Sequence, residues 1–134
     1  MNTERSPMSR VLIVEDNKVN QLVARRMVER LGYQTHVVDN GKLALDALSD
    51  NAYALVLMDC QMPVMDGYEA TMEIRRREPP NQHLPIVALT AHVLDNNREQ
   101  CLGVGMDDFV AKPVTNTQLK DVLDRWMQPP VDAS

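Results

Sequence analysis

The chain has little of what would place it in several large protein classes. It holds two cysteines in 134 residues, Cys60 and Cys101, too few for a disulfide framework and not in a C-x-x-C pair. Two reduced thiols that pack or sit idle are expected. No apolar run approaches the roughly 18 to 20 residues a membrane span needs, and the opening MNTERSPMSR has no apolar signal-peptide core. The cytosol, or the cytosolic side of a membrane-anchored protein, is the expected compartment, with no direct membrane contact. Positive charge is also in deficit, since 14 Lys and Arg against 19 Asp and Glu leave a net charge of −5. Such a surface does not attract nucleic acid as a whole, and a cation or a basic partner surface suits it better. His36, His83 and His92 lack metal-ligand spacing. No internal repeat or low-complexity tract is visible.

What is present is an ordinary soluble composition, 44% hydrophobic and 25% charged, in a length that suits one globular domain. Short apolar runs alternate with helical patterns. Val11–Val14 reads as a buried strand, after which Asn17 caps a helix with Leu22, Val23, Met27 and Leu31 as its apolar stripe, closed by Gly32. A more polar strand at Gln34–Val38 reads as a sheet edge, followed by a helix from Asn40 to about Asp50 and a fully apolar strand at Ala54–Met58. Asp66 with Glu69 predicts a capping box opening a helix through Arg77, which Pro79-Pro80 ends. The strand in Pro85–Leu89 precedes a weakly patterned helix near His92–Leu102, apolar only at Val93, Leu94, Cys101 and Leu102. A short strand at Asp108–Ala111 follows, then a second capping box, Thr115 with Gln118. It opens a helix whose Leu119, Val122, Leu123, Trp126 and Met127 make a firm stripe.

Five strands alternating with five helices, three of the strands almost wholly apolar, predict a parallel sheet covered on both faces in an open doubly wound α/β fold. Ligands of such sheets bind outside the carboxyl ends of the strands, so the residues there carry the chemistry. They are Glu15 and Asp16, Asp59, Thr90 with Ala91, and Lys112 with Pro113. Three carboxylates and one ammonium sum to −2, and crowded carboxylates raise one another's pKa unless a cation intervenes. Mg²⁺ fits, because it takes one or two carboxylates, keeps water and completes its octahedron with phosphate oxygens. Asp16 would bind it directly and Glu15 partly through water. Asp59, between a cation and a lysine, is then an ionised nucleophile able to attack phosphorus. Lys112 neutralises charge in that transfer, and the Thr90 hydroxyl meets a phosphoryl oxygen. The Asp66-Gly67 turn makes Gly67 a structural position.

The motifs VLIVEDN, LVLMDCQMPVMDGYE, PIVALTA and DDFVAKPV together resemble the receiver domain of two-component response regulators, over about residues 10–127. Residues 1–9 and 128–134 then read as a flexible N-terminal segment and a C-terminal tail. The resemblance implies a flavodoxin-like fold with strand order 2-1-3-4-5. It implies Asp59 as phosphoacceptor, Glu15 and Asp16 as the acidic pair, Thr90 and Lys112 as phosphoryl sensors, and the Gln61 main-chain carbonyl as a further Mg²⁺ ligand, with Mn²⁺ an alternative ion. It also implies a cis bond at Pro113 and a switch residue at Phe109, where many relatives have Tyr. The Glu-Asp pair likewise departs from the more frequent Asp-Asp. Gln61, Met62, Ala91 and His92, beside the acceptor and Thr90, are candidates for tuning. The wording MDCQMPVMDGYEAT is most like receivers of hybrid sensor histidine kinases. The implied partners are a histidine kinase or a histidine phosphotransfer domain, with the receiver a monomer or weak dimer, either alone or as part of a longer protein. It would be a signalling switch, not an enzyme, assisting only its own phosphorylation and slow autodephosphorylation.

Three rival readings meet obstacles. A haloacid dehalogenase-type phosphatase would carry a second Asp two residues after the nucleophile, where this chain has Gln61. A flavodoxin-like flavin carrier needs a glycine- and hydroxyl-rich phosphate loop after the first strand, and Glu15-Asp16 would repel that phosphate. A degenerate receiver used only as a binding platform would not need the full set of acids, Thr90 and Lys112.

Overall fold

The computed structural model describes residues 10–60, 65–90, 95–112 and 114–127. The elements run β1 (Arg10–Val14), α1 (Lys18–Arg30), β2 (Gln34–Val38), α2 (Gly41–Asp50), β3 (Leu55–Asp59), α3 (Gly67–Arg77), β4 (Ile86–Thr90), α4 (Asp95–Gly103), β5 (Asp108–Ala111) and α5 (Asn116–Trp126). The strands form one parallel sheet in the order β2-β1-β3-β4-β5. The more polar β2 is indeed an edge. The order reverses between β1 and β3, so the crevice above their carboxyl ends is the switch point of the fold.

Alternation along the strands divides the core in two. Leu12, Val14, Val56, Met58, Ile86 and Ala88 face a layer with Ala44, Leu45, Ala70 and Ile74 of α2 and α3. Val11, Ile13, Leu55, Leu57, Val87 and Leu89 face the opposite layer, with Ala24 and Val28 of α1 and Leu119 and Leu123 of α5. Burial on both faces is why β1, β3 and β4 are continuous apolar runs rather than alternating ones.

Local chemistry sets the helix ends as the sequence suggests. Asn17 and Asn40 accept backbone N–H bonds from Asn20 and Leu43, and Asp66/Glu69 and Thr115/Gln118 both form reciprocal capping boxes. Gly32 has φ 101°, the left-handed conformation that lets the chain leave α1.

Two expectations need correction. The third strand runs to Asp59 itself, because Asp59 stays in register with Leu89 and the next residue, Cys60, still donates its N–H to the Leu89 carbonyl. On α1 the apolar residues do not form one stripe. At about 100° per residue, Ala24, Val28 and Leu31 share the core-facing side, whereas Val19, Leu22 and Val23 turn away and are 69%, 38% and 43% exposed. The weakly patterned helix is present as α4, in which Cys101 is buried and Leu102 is exposed. Val93 and Leu94 lie outside the described residues, as do Gln61, Met62, Ala91, His92, the expected cis bond at Pro113, and segments 1–9 and 128–134.

Candidate functional site

Burying a carboxylate is costly unless charge or hydrogen bonds answer it. Yet β3, the middle strand, is buried at all five positions and ends on Asp59, only 4% exposed. Part of the answer is Lys112, one residue past β5, whose Nζ lies 3.2 Å from Asp59 Oδ1 and 3.2 Å from Glu15 Oε1. Glu15, just beyond β1, is also buried, and its second carboxylate oxygen accepts the Asn17 N–H at 3.2 Å. Burial pulls the Lys112 ammonium toward losing its proton, but the Asp59 and Glu15 carboxylates outweigh it and hold the pKa above the ordinary lysine value. The bridge is therefore a cation between two buried anions.

One carboxylate oxygen from each of Glu15, Asp16 and Asp59 falls within 4.8 Å of the others, with Asp16 exposed at the mouth. With Lys112 the cluster keeps a formal charge of −2, from three carboxylates and one ammonium. All-oxygen donors, an excess of negative charge and one solvent-facing carboxylate are what a small hard divalent cation such as Mg²⁺ requires. The donor set fits that ion. Glu15 already serves Lys112 and the Asn17 N–H, whereas Asp16 stands exposed at the mouth as a well placed direct ligand.

The neighbouring strand ends are tied to the same rim. Thr90 is the buried last residue of β4, and its carbonyl accepts the Lys112 N–H at 2.8 Å, fixing where the lysine leaves β5. Phe109 stands lower on β5, opposite Ala88, half-buried against the α2 and α3 face of the core. Gly67 begins α3 against the back of the acceptor strand. A Cβ there would lie 2.3 Å from the Asp59 carbonyl oxygen and 3.0 Å from Cys60 Cα, so only glycine allows this approach.

The sequence-predicted residues Glu15, Asp16, Asp59 and Lys112 thus converge, with Thr90 attached through the backbone. Among the described residues, His36 and His83 do not join them: His36 Nδ1 pairs with the Tyr53 hydroxyl at 2.5 Å, and His83 Nε2 with Asp107 at 2.6 Å. Cys60 and Cys101 are free and buried with their sulfurs 4.0 Å apart. Burial, then the Cys101 thiol, pushes the Cys60 pKa up to about 12, so Cys60 is protonated and a packing residue. One participant escaped the sequence reading. Gln21 on α1 donates from Nε2 to the Glu15 carbonyl at 2.5 Å and to Asp39 Oδ1 at 2.7 Å. The signal was its position one turn into α1, where a long side chain points back over the preceding turn.

A model of the response regulator receiver domain matches residues 11–124. Sensor protein GacS of Pseudomonas syringae pv. syringae is 43% identical over 126 residues, which cover 92% of this chain and 14% of that protein. Hybrid signal transduction protein dokA of Dictyostelium discoideum is 38% identical over 125 residues, covering 93% of this chain and 7% of that protein. The chain spans 6% to 16% of the length of such curated relatives. Among solved structures, the receiver domain of sensor histidine kinase PA1611 from Pseudomonas aeruginosa PAO1 is 45% identical with a TM-score of 0.80. The match covers 88% of this chain and 96% of that one, which has a magnesium ion coordinated in its active-site cleft. The receiver domain of Ssk1 from Saccharomyces cerevisiae, crystallised with the histidine phosphotransfer protein Ypd1, gives a TM-score of 0.82 at 29% identity. That match covers 93% of this chain and 94% of the other.

Proposed function

Because the chain belongs to the response regulator receiver domain family, and is thus a receiver domain of two-component and phosphorelay signalling, we propose that Asp59 accepts a phosphoryl group from a phosphohistidine. Such a domain is a signalling switch, not a classical enzyme. One observation carries the residue assignment: Asp59 ends the buried middle strand, ion-paired to Lys112 inside a cluster with Glu15 and Asp16.

The chemistry follows from that placement. A carboxylate oxygen of Asp59 attacks phosphorus, the P–N bond to the donor imidazole breaks, and its electron pair leaves with the imidazole. Burial on a rigid strand orients the attacking oxygen, and the ammonium of Lys112 follows the charge onto the phosphoryl oxygens. Asp16 and Asp59, with Glu15 through water, would hold Mg²⁺ or Mn²⁺, and the Gln61 carbonyl would complete the set. A bound divalent ion supplies charge neutralisation at the transferring phosphoryl group. The Thr90 hydroxyl then moves to a phosphoryl oxygen, Phe109 repacks, and the sparsely apolar α4 shifts with β4 and β5. Lys112 would also favour slow hydrolysis of the acyl phosphate by water, by holding charge on the phosphoryl oxygens. Gln61, Met62, Ala91 and His92 tune its rate, and Gly67 keeps α3 close to the acceptor.

The partner is a histidine kinase or a histidine phosphotransfer domain on the cytosolic side. Val19, Leu22 and Val23 support this, because they form an exposed apolar strip on α1 that starts three residues beyond Asp16, beside the rim. A helical phosphohistidine protein packing there would bring its imidazole over Asp59. Changing Leu22 and Val23 to Ser should slow transfer from such a protein while leaving labelling by acetyl phosphate intact, and equal loss with both donors would remove the strip from the docking face.

The test of the acceptor is the intact mass after incubation with acetyl phosphate and Mg²⁺. One phosphoryl adduct should appear on the wild type and be absent from Asp59→Asn and from a chelated control. An adduct retained by Asp59→Asn would reassign the acceptor, and one formed without metal would remove Glu15 and Asp16 from the reaction.

A further inference from the structure

We propose that Gln21 is a positioning residue for the cation site, acting through the Glu15–Asp16 peptide and anchored by Asp39. The inference rests on the reading of that cluster as a divalent-cation site, and it concerns what aims the site.

The acidic turn is gripped on each side of Glu15. Its N–H donates to the Val38 carbonyl at the end of β2, at 3.1 Å. Its carbonyl, which belongs to the peptide joining Glu15 to Asp16, accepts the Gln21 amide at 2.5 Å. Its carboxylate is taken by Lys112 and by the Asn17 N–H. Asp16 is different. Among the described residues no hydrogen bond or ion pair holds its carboxylate, so the direction in which Asp16 leaves the turn is inherited from the peptide plane that Gln21 fixes.

Gln21 is held in turn. The same nitrogen donates to Asp39 Oδ1 at 2.7 Å, and Lys18 Nζ meets that oxygen at 3.0 Å. Asp39 immediately follows Val38, whose carbonyl receives the Glu15 N–H. Gln21 and Val38–Asp39 therefore close a loop of hydrogen bonds around the peptide that presents the acids. Side chains placed this way, which touch the residues bearing the ligands rather than the ion, govern affinity by fixing orientation.

The charge on Asp39 matters to the anchor. The Gln21 hydrogen bond, then Lys18, lowers its pKa below the ordinary aspartate value, so it remains an anion throughout the neutral range. A donor at position 21 is required on both sides, toward a carbonyl and toward a carboxylate. Lysine supplies one; alanine and glutamate do not.

The test is calorimetric titration of the unphosphorylated full chain with Mg²⁺, for wild type and for Gln21→Ala, Gln21→Glu and Gln21→Lys, each also melted in chelator. Gln21→Ala and Gln21→Glu should weaken Mg²⁺ binding roughly tenfold, whereas Gln21→Lys should stay within about threefold of wild type, with similar melting midpoints in chelator. Labelling by acetyl phosphate should show the same split, with a higher Mg²⁺ requirement but a restored maximal rate once the ion saturates. Ala and Glu variants that bind Mg²⁺ within about twofold of wild type, or a Lys variant as impaired as they are, would overturn the assignment. Should Gln21→Ala melt far below the rest, the Glu and Lys variants, which keep a long side chain, decide alone. A wild type that binds no Mg²⁺ overturns the cation-site reading itself and this assignment with it, a result distinct from variants that match a binding wild type.

Discussion

The two ends of the sheet treat charge in opposite ways. At the carboxyl ends of the strands, Glu15, Asp16 and Asp59 crowd together with one lysine to answer them. At the amino ends, Arg75 of α3 is a nearly buried hub. It donates to the Gly105 and Leu84 carbonyls at 2.8 Å each, to Glu78 at 2.9 Å and to Asp107 at 2.8 Å. The same two carboxylates also accept the backbone N–H groups of Leu84 at 2.6 Å and Ile86 at 2.8 Å. One end is satisfied within the protein, and the other stays electrostatically incomplete. A groove of about 960 Å³ between Leu48, Tyr53, Leu84 and Trp126 also opens at the satisfied end, well away from the clustered acids. The excess of negative charge lies at the rim and not at this groove.

If this division is real, the largest loss of stability should come from the end that has no part in the chemistry. Arg75→Met takes the guanidinium away from Glu78 and Asp107, leaving them His83 and backbone N–H groups, and should lower the unfolding free energy by roughly 3 kcal/mol. Mg²⁺ affinity should change by less than about twofold, since distant sites act independently. Urea unfolding with a parallel Mg²⁺ titration checks both, and an affinity that falls in step with stability would show the two ends to be coupled.

Lys112→Met probes the other end. Without metal, Glu15 and Asp59 lose their internal cation, and unfolding in chelator should become easier by about 1 to 2 kcal/mol. Added Mg²⁺ should recover much of that, because an ion that binds only the folded state stabilises it. Midpoints that do not differ between wild type and variant in chelator would mean that the buried carboxylates do not depend on the lysine.

The sequence made one class of feature easy to read and another hard. The caps and the convergence of Glu15, Asp59 and Lys112 follow from local rules combined with the rule that loops after parallel strands meet at one rim, whereas the strand order came with the family resemblance. Apolar identity was less informative on α1. Leu22 and Val23 look like core residues by composition, but the sheet accepts only the face carrying Ala24 and Val28, and the remaining apolar residues are left outside. Gln21 was invisible for the complementary reason. A glutamine on a helix reads as a solvated side chain until the fold brings the end of β2 and the acidic turn within its reach. The Arg75 hub spans 30 residues to Gly105 and 32 to Asp107, so no short pattern announces it.

The smallest effect is expected from Asp108, the first residue of β5, and it has a definite sign. Burial pushes its carboxyl up, but the Trp126 indole N–H at 2.9 Å, the Phe109 N–H at 2.8 Å and Arg125 together outweigh that and hold the pKa below the ordinary aspartate value. A carboxyl with a lowered folded pKa contributes stability that is fully present above its unfolded value, about 3.9, and is lost as pH falls through the folded one. Asp108→Asn should therefore cost about 1 kcal/mol at pH 7, with the gap to wild type closing only below roughly pH 4. Asp39 and Glu73 are lowered too, Glu73 to about 2 by Arg76 and Arg77, but both occur in either protein and cancel in the difference. A gap that stays constant from pH 7 to pH 3 would mean that the shape of the side chain, and not its charge, joins β5 to the end of α5. The amino-terminal end of the sheet would then be held by packing more than by paired ions.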